Sequence, residues 1–433
     1  MKKYPQLVLS PEQRLIVLCC CTRPASEQMD TIGKLLDQAL DWNCILSTAA
    51  MHGLSGLLYS NLRNYRAGGR EARGSMERLK AEYHAIAYRN VLFSRAYKHI
   101  LKTFNNEHIK VMPFKGIAFI HDIYHNIALR PFTDIDIIIE KSSLVRAEQA
   151  LQALGYHKKK MSASKLKRHF HSIFWQKQGE MTTFVELHWD IDFADSPYRI
   201  QISDFWQRAQ RSDAGTQTVY SMSLEDSIIA NCFHIIRGDC PGQLMPLKNF
   251  CDLSEIITRH HSQINWQTLT DRSEQYRVTR PVYLVLFLLE ELFRAPVPID
   301  VISELKNSGL RDDMTATIYQ KRIFPKKRRD ISMPRSFLDL SSSRRFTDKI
   351  AVYFTMVKKI YRSFRNLYYY NLDHSILTAS RVSLSALSRS FLNYVRLLYF
   401  MLLKPEQIET TRNKALQAKR DLEEIELWMR GAV

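Results

Sequence analysis

The sequence predicts an α+β protein in which a small mixed β-sheet is embedded between mainly α-helical segments. Three observations carry that reading. Apolar residues recur at helical spacing before about residue 100 and again beyond Leu224, the period changes at His108, and the residues between run strand, helix, strand, helix, strand, strand. With 433 residues, 45% of them hydrophobic, the chain exceeds what one core usually organises and can bury two or three domains. The expected division is a helical N-terminal region over 1–100, the sheet domain over 101–200, a helical domain over 201–310 and a basic helical C-terminal region over 311–433.

Taken in order, Ile32, Leu35, Leu36, Ala39 and Leu40, then Ile45, Leu46, Ala49 and Ala50, give the first helical stripes, and Gly53 and Gly56 punctuate them. The segment RAGGREARG over 66–74 reads as a flexible charged turn, and a long helix follows from Glu77 to Phe104. IKVMPFK, Ile109 to Lys115, is short and partly β-branched and stops at Gly116, which marks a strand. A helix over Ala118 to His125 leads to the strand DIDIIIE, and the next helix starts at a Ser142 or Ser143 cap and ends at Gly155. Two more strands, His171 to Lys177 and Thr182 to Asp192, flank a turn at Gln178 and Gly179. Four helical stretches then run from Leu224 to Phe293, and Pro296 and Pro298 close that block.

The formal net charge of +18 implies attraction to polyanions, which include nucleotides, nucleic acid and an anionic membrane face. Lys326, Lys327, Arg328 and Arg329 are contiguous, with Tyr353, Tyr361 and Phe364 following. That cluster is either an anionic-surface contact or a solubilising face. The basic run through Lys158, Lys165, Lys167 and Arg168 has the same two readings. Seven cysteines without a C-x-x-C pair read as reduced thiols. No long uncharged apolar run is present, and Glu12, Gln13 and Arg14 interrupt the N-terminal apolar stretch, so the expected location is the cytoplasm.

The chemistry concentrates in KGIAFIHDIYHNIALRPFTDIDIIIE, residues 115–140. On a strand, Asp134 and Asp136 share a face while Ile135 and Ile137 take the other. Two carboxylates so close repel unless a cation sits between them, and Mg²⁺ or Mn²⁺ meets that need with oxygen ligands. Glu186 is the expected third acid, because Phe184, Glu186 and His188 share a strand face while Val185 and Leu187 point to the core. Asp190 and Asp192 are second choices. Gly116 sits where a strand meets a helix, which suits backbone approach to a phosphate, and Lys115 and Arg130 add charge for a triphosphate. His188, with Trp189, either contacts the nucleotide or is a structural residue.

These residues resemble the nucleotidyltransferase fold of the polymerase-β-like superfamily. More closely, they resemble a bacterial family of uncharacterised nucleotidyltransferases. The resemblance rests on Lys115-Gly116, Arg130 ahead of DIDIIIE, the helix ending in Leu154-Gly155-Tyr156, and ELHWD at Glu186 to Asp190. LDWNCILSTAAMHGLSGLLY before the sheet, and LKNFCDLSEII and INWQTL after it, extend the match to about residues 30–300. It implies that Asp134, Asp136 and Glu186 hold metal, that ATP or another nucleoside triphosphate is the donor, and that the acceptor is a small molecule, sugar or peptide. His234, Asp239 and Asp252 match positions that the family fills, with an acceptor-side or a packing role. The superfamily's Gly-Ser or Gly-Gly pair at the helix start is Lys115-Gly116 here, followed by Ile117, so a hydroxyl that would touch the terminal phosphate is absent. A nucleotide-binding regulatory module and a basic surface adaptor are the rival classes.

Overall fold

In a computed structural model, the described residues are 8–65, 69–159, 169–179, 181–214, 217–237 and 244–306, with isolated residues between 318 and 428. The basic cluster Lys326 to Arg329, the run from Lys160 to Arg168, and Asp239 lie outside them. The chain divides into two compact units, Met1–Ala316 with Trp428–Val433, and Thr317–Leu427. Every element below belongs to the first.

Helices α1 (Pro11–Leu18), α2 (Ser26–Leu36), α3 (Trp42–His52) and α4 (Ser55–Leu62) open the chain. Ser10 caps α1 reciprocally: its hydroxyl accepts from the Gln13 N–H, and the Gln13 side chain accepts from the Ser10 N–H. Asp41 caps α3 through the Cys44 N–H, and Gly53, at φ 69°, ends that helix in the left-handed conformation. Helix α5 (Gly69–Asn106) is 38 residues long. The charged stretch expected to be a turn over 66–74 is therefore helical from Gly69 onward. Glu71, Ala72 and Arg73 favour the helix, Ala72 is buried, and Gly74 faces open space where its missing side chain leaves no void.

The sheet contains β1 (Met112–Phe114), β2 (Ile135–Ile138), β3 (His157–Lys158), β4 (His171–Gln178) and β5 (Met181–His188) in the spatial order β1-β2-β5-β4-β3. β2 runs parallel to β5, and the remaining pairs are antiparallel. The chain between β1 and β2 forms α6 (Gly116–Phe119) and a π-helical turn over Ile120–Tyr124, and α7 (Leu144–Ala153) crosses from β2 toward β3. β5 stops at His188, short of the expected Asp192. Asp190 and Asp192 instead accept from the N–H groups of Ile191 and Phe193, which turns the chain away.

One sheet face is dry. Ile135, Ile137, Val185, Leu187 and Phe174 pack against Phe93, Ile100 and Phe104 of α5 and Leu151 of α7. Beyond the sheet come α8 (Ile202–Arg208), a hairpin of β6 (Gln210–Ala214) and β7 (Gln217–Ser221), and helices α9 (Leu224–Arg237), α10 (Leu247–His260), α11 (Trp266–Gln275), α12 (Thr279–Phe293) and α13 (Ile299–Leu305). The hairpin is polar and was not expected; the clasp of Asn105 around the N–H and carbonyl of Thr218 holds it, with a bond from the Tyr220 N–H to the Val111 carbonyl. No helix among the described residues is long and apolar enough to cross a membrane.

The α4 start presses on the loop that leads into β2. A Cβ on Gly56 would collide with the Ala128 carbonyl oxygen and lie 3.1 Å from the Leu129 Cα, both rigid backbone. Gly56→Ala should therefore lower unfolding free energy by about 1–3 kcal/mol, measured by urea denaturation.

Candidate metal centre

Because β2 and β5 are parallel and in register, Asp136 stands beside Glu186 and Ile138 beside His188. The two-residue period that sends Ile135, Ile137, Val185 and Leu187 into the core turns Asp136, Glu186 and His188 to the opposite face. The His188 Nε2 lies 3.0 Å from the Asp136 Oδ1 and 3.4 Å from the Glu186 Oε2. These three residues place one ligand atom each within 4.8 Å of one another. Asp136 and His188 are buried, whereas the Glu186 side chain keeps 23% of its surface exposed. The cluster thus opens on the Glu186 side.

Lys115 reaches the same aspartate, its Nζ 3.0 Å from the Asp136 Oδ1. It sits between β1 and α6 at φ 54°, a conformation side chains rarely adopt and one that the surrounding contacts must hold. Burial opposes charge on Asp136, yet Lys115 and His188 outweigh it and hold the carboxyl well below the usual range. Burial likewise opposes charge on His188, and its bonds to Asp136 and Glu186 raise the imidazole pKa all the same. The Lys115 ammonium and the His188 imidazole thus stand where a divalent ion would be needed.

Asp134 precedes β2 instead of lying in it, and the close group is Asp136, Glu186 and His188. It remains in the same electrostatic neighbourhood: burial, Asp136 and Glu186 push its carboxyl up to about 7. Lys248 of α10 faces it from the helical side, with its own pKa pulled to about 8 by burial and by Arg130. Lys248 and Asp252 stand four residues apart on α10, a spacing that puts both on one helix face. Lys248 was not among the residues expected from the sequence, and its spacing from Asp252 is the one local signal that points to it.

Arg130 is buried, and its guanidinium does not offer a free edge to a phosphate. Nε and Nη2 donate to the Asp252 carboxylate, and Nη1 donates to the Pro131 carbonyl. The Tyr124 hydroxyl donates to the same Asp252 at 2.6 Å. Gly116 exists to admit this arrangement, since a Cβ there would sit 2.8 Å from the Arg130 Nη1 and 2.7 Å from the Phe132 Cβ. The Phe114 ring packs on His188 and on His234, whose pKa burial and Lys115 drive well down, which leaves it neutral. His171 lies 5.0 Å from His188, ring to ring, and burial with His188 pulls its pKa to about 4.

A mixed sheet with acids side by side on adjacent strands is the arrangement that the nucleotidyltransferase resemblance implied. Residues 38–294, more than half of the chain, match the family described as an uncharacterised nucleotidyltransferase, and the chain belongs to that family. Membership implies nucleotidyltransferase activity and a nucleotide substrate. No curated protein matches the chain.

Two outcomes follow. Asp252→Ala strands the Arg130 charge in the interior and should cost about 3–5 kcal/mol of stability by urea denaturation. For Asp134, the folded pKa of about 7 exceeds the ordinary carboxylate value, so the folded state binds more protons between about pH 4 and 7. Without divalent metal, stability should therefore fall as pH rises through that window, and Asp134→Asn should flatten the profile.

Proposed function

We propose that the protein transfers a nucleotidyl group, AMP from ATP, to a hydroxyl of a small molecule, sugar or peptide and releases pyrophosphate. The observation that carries this reading is the register of Asp136 with Glu186 on parallel strands, with His188 between their carboxylates. Such a donor set suits Mg²⁺ or Mn²⁺, held by Asp136 and Glu186 with Asp134 beside them. A cation there supplies Lewis-acid charge neutralisation to the phosphates and the attacking oxygen.

The chain's own groups have separable roles. Asp136, fixed by its strand, is the anchor. Lys115 holds a positive charge 3.0 Å from it and, with Lys248 near Asp134, presents cations to the phosphates. Arg130 and Gly116, expected to touch the pyrophosphate, instead shape the floor beneath Lys115 through Asp252 and Phe132. Glu186, more open than Asp136 and His188, takes the proton of the acceptor hydroxyl as the hydroxyl oxygen bonds to the α-phosphorus and the bond to the β-phosphate breaks. The cytoplasm, where nucleoside triphosphates are abundant, is the proposed setting.

Two measurements test the proposal. Wild-type protein with radiolabelled ATP, Mn²⁺ and cell extract should release pyrophosphate, and Asp136→Asn should reduce the rate at least ~100-fold with its thermal unfolding retained; equal rates would sink the reading. Because His188 carries a raised pKa, Mn²⁺ binding at about pH 6 should expel its proton. Calorimetry in buffers of different ionisation enthalpy reads that release, and His188→Gln should abolish it.

A further inference from the structure

A cavity of about 370 Å³ opens next to the acidic cluster, between the β1–α6 junction on one side and the β6–β7 hairpin, α9 and α10 on the other. That volume lies within the range of small-molecule sites, about 300–1,000 Å³. Its link to the chemistry is Lys115, which lines the cavity while its amine touches Asp136. Lys115 is thus shared by the cavity and the acidic cluster, although none of the three acids lines the cavity itself.

The lining distinguishes among the parts of a nucleotide. Phe114, Phe119, Ile123 and Ile256 form an apolar wall of buried side chains. Asn231 stands in the wall, and Gln210 and Gln263 stand at the exposed rim. The Nδ1 of His260, also in the wall, is buried without a hydrogen-bond partner among the described residues. Apart from Lys115, the charged lining residue is Asp122, and a carboxylate repels phosphate. An uncharged, flat, partly apolar group with polar edges fits such a wall; a polyphosphate does not. Carboxamide side chains are the groups that pair with the amino and ring-nitrogen edge of adenine.

We propose that this cavity binds the purine nucleoside of the donor, with the apolar wall against the base and the carboxamides and His260 at its edges. The inference rests on the nucleotidyltransferase reading and assigns the donor's nucleoside to a place that reading leaves open.

The test compares Mg²⁺-ATP with Mg²⁺-tripolyphosphate as calorimetric probes on the full chain. Wild type should bind ATP at least tenfold more tightly than tripolyphosphate. Ser221→Trp, which adds bulk to the cavity from the exposed end of β7, should weaken ATP at least tenfold and leave tripolyphosphate within twofold. Gln263→Ala, an exposed change that leaves the fold intact, should weaken ATP severalfold with the same selectivity. Equal wild-type affinity for the two probes, unchanged ATP binding in both variants, or parallel loss of both probes overturns the assignment. Unchanged ATP binding with lost pyrophosphate release also overturns it, since the cavity would then hold the acceptor. Should neither probe bind the wild type, the nucleotidyltransferase reading itself fails and the inference falls with it.

Discussion

The constraint on which this structure depends is an ionised carboxylate in a sheet built of isoleucine. Asp136 keeps only 3% of its surface exposed, and a bare charge in that position would cost several kcal/mol. Lys115 from the neighbouring strand end supplies a compensating charge, and His188, two residues beyond Glu186, bonds the same carboxylate oxygen at 3.0 Å. Lys115 makes its contact from a positive φ, and the bonds to Asp136 and Glu186 give the imidazole its raised affinity for a proton. Were a divalent ion to bind there, it would replace a proton and an ammonium contact, so the acids would stay paired.

Beneath that centre lies a second buried charge system with a different task. Arg130, Asp252 and Tyr124 form a closed set in which nearly every donor has an acceptor, and it joins the loop before β2 to helix α10. A buried pair of this kind contributes little net stability relative to apolar packing, yet breaking it on one side is expensive. Its value here is positional: it fixes the loop carrying Pro131, Phe132 and Asp134, and with it the approach of Lys248 to Asp134. The helices that follow the sheet therefore belong to the site as well as to the core.

Much of the site was legible because period-two alternation is a local property. Ile135 and Ile137 against Asp136, and Val185 and Leu187 against Glu186 and His188, sort themselves to two faces without any knowledge of the partner strand. Gly116 was recognisable as a position intolerant of a side chain, and the protein neighbours it must admit are Arg130 and Phe132. The Asp252 partner of Arg130 was not legible for a physical reason: an arginine near acids looks the same in sequence whether its partner is a ligand or an aspartate on a helix 122 residues away. The π-helical turn, the two-residue β3 and the polar β6–β7 hairpin carry no apolar period, so contacts with other elements created them.

By itself, then, the order of residues determined the α+β class, the long helix before the sheet, and the strand faces that carry Asp136, Glu186 and His188, since all of these follow from spacing along one chain. Tertiary structure alone decided that Glu186 and Asp136 sit side by side, that Asp134 stands outside the closest group, and that Lys248 and Asp252 join from α10. Register between strands far apart in sequence, and the pairing of charges across elements, are properties of packing in three dimensions, and no local pattern encodes them.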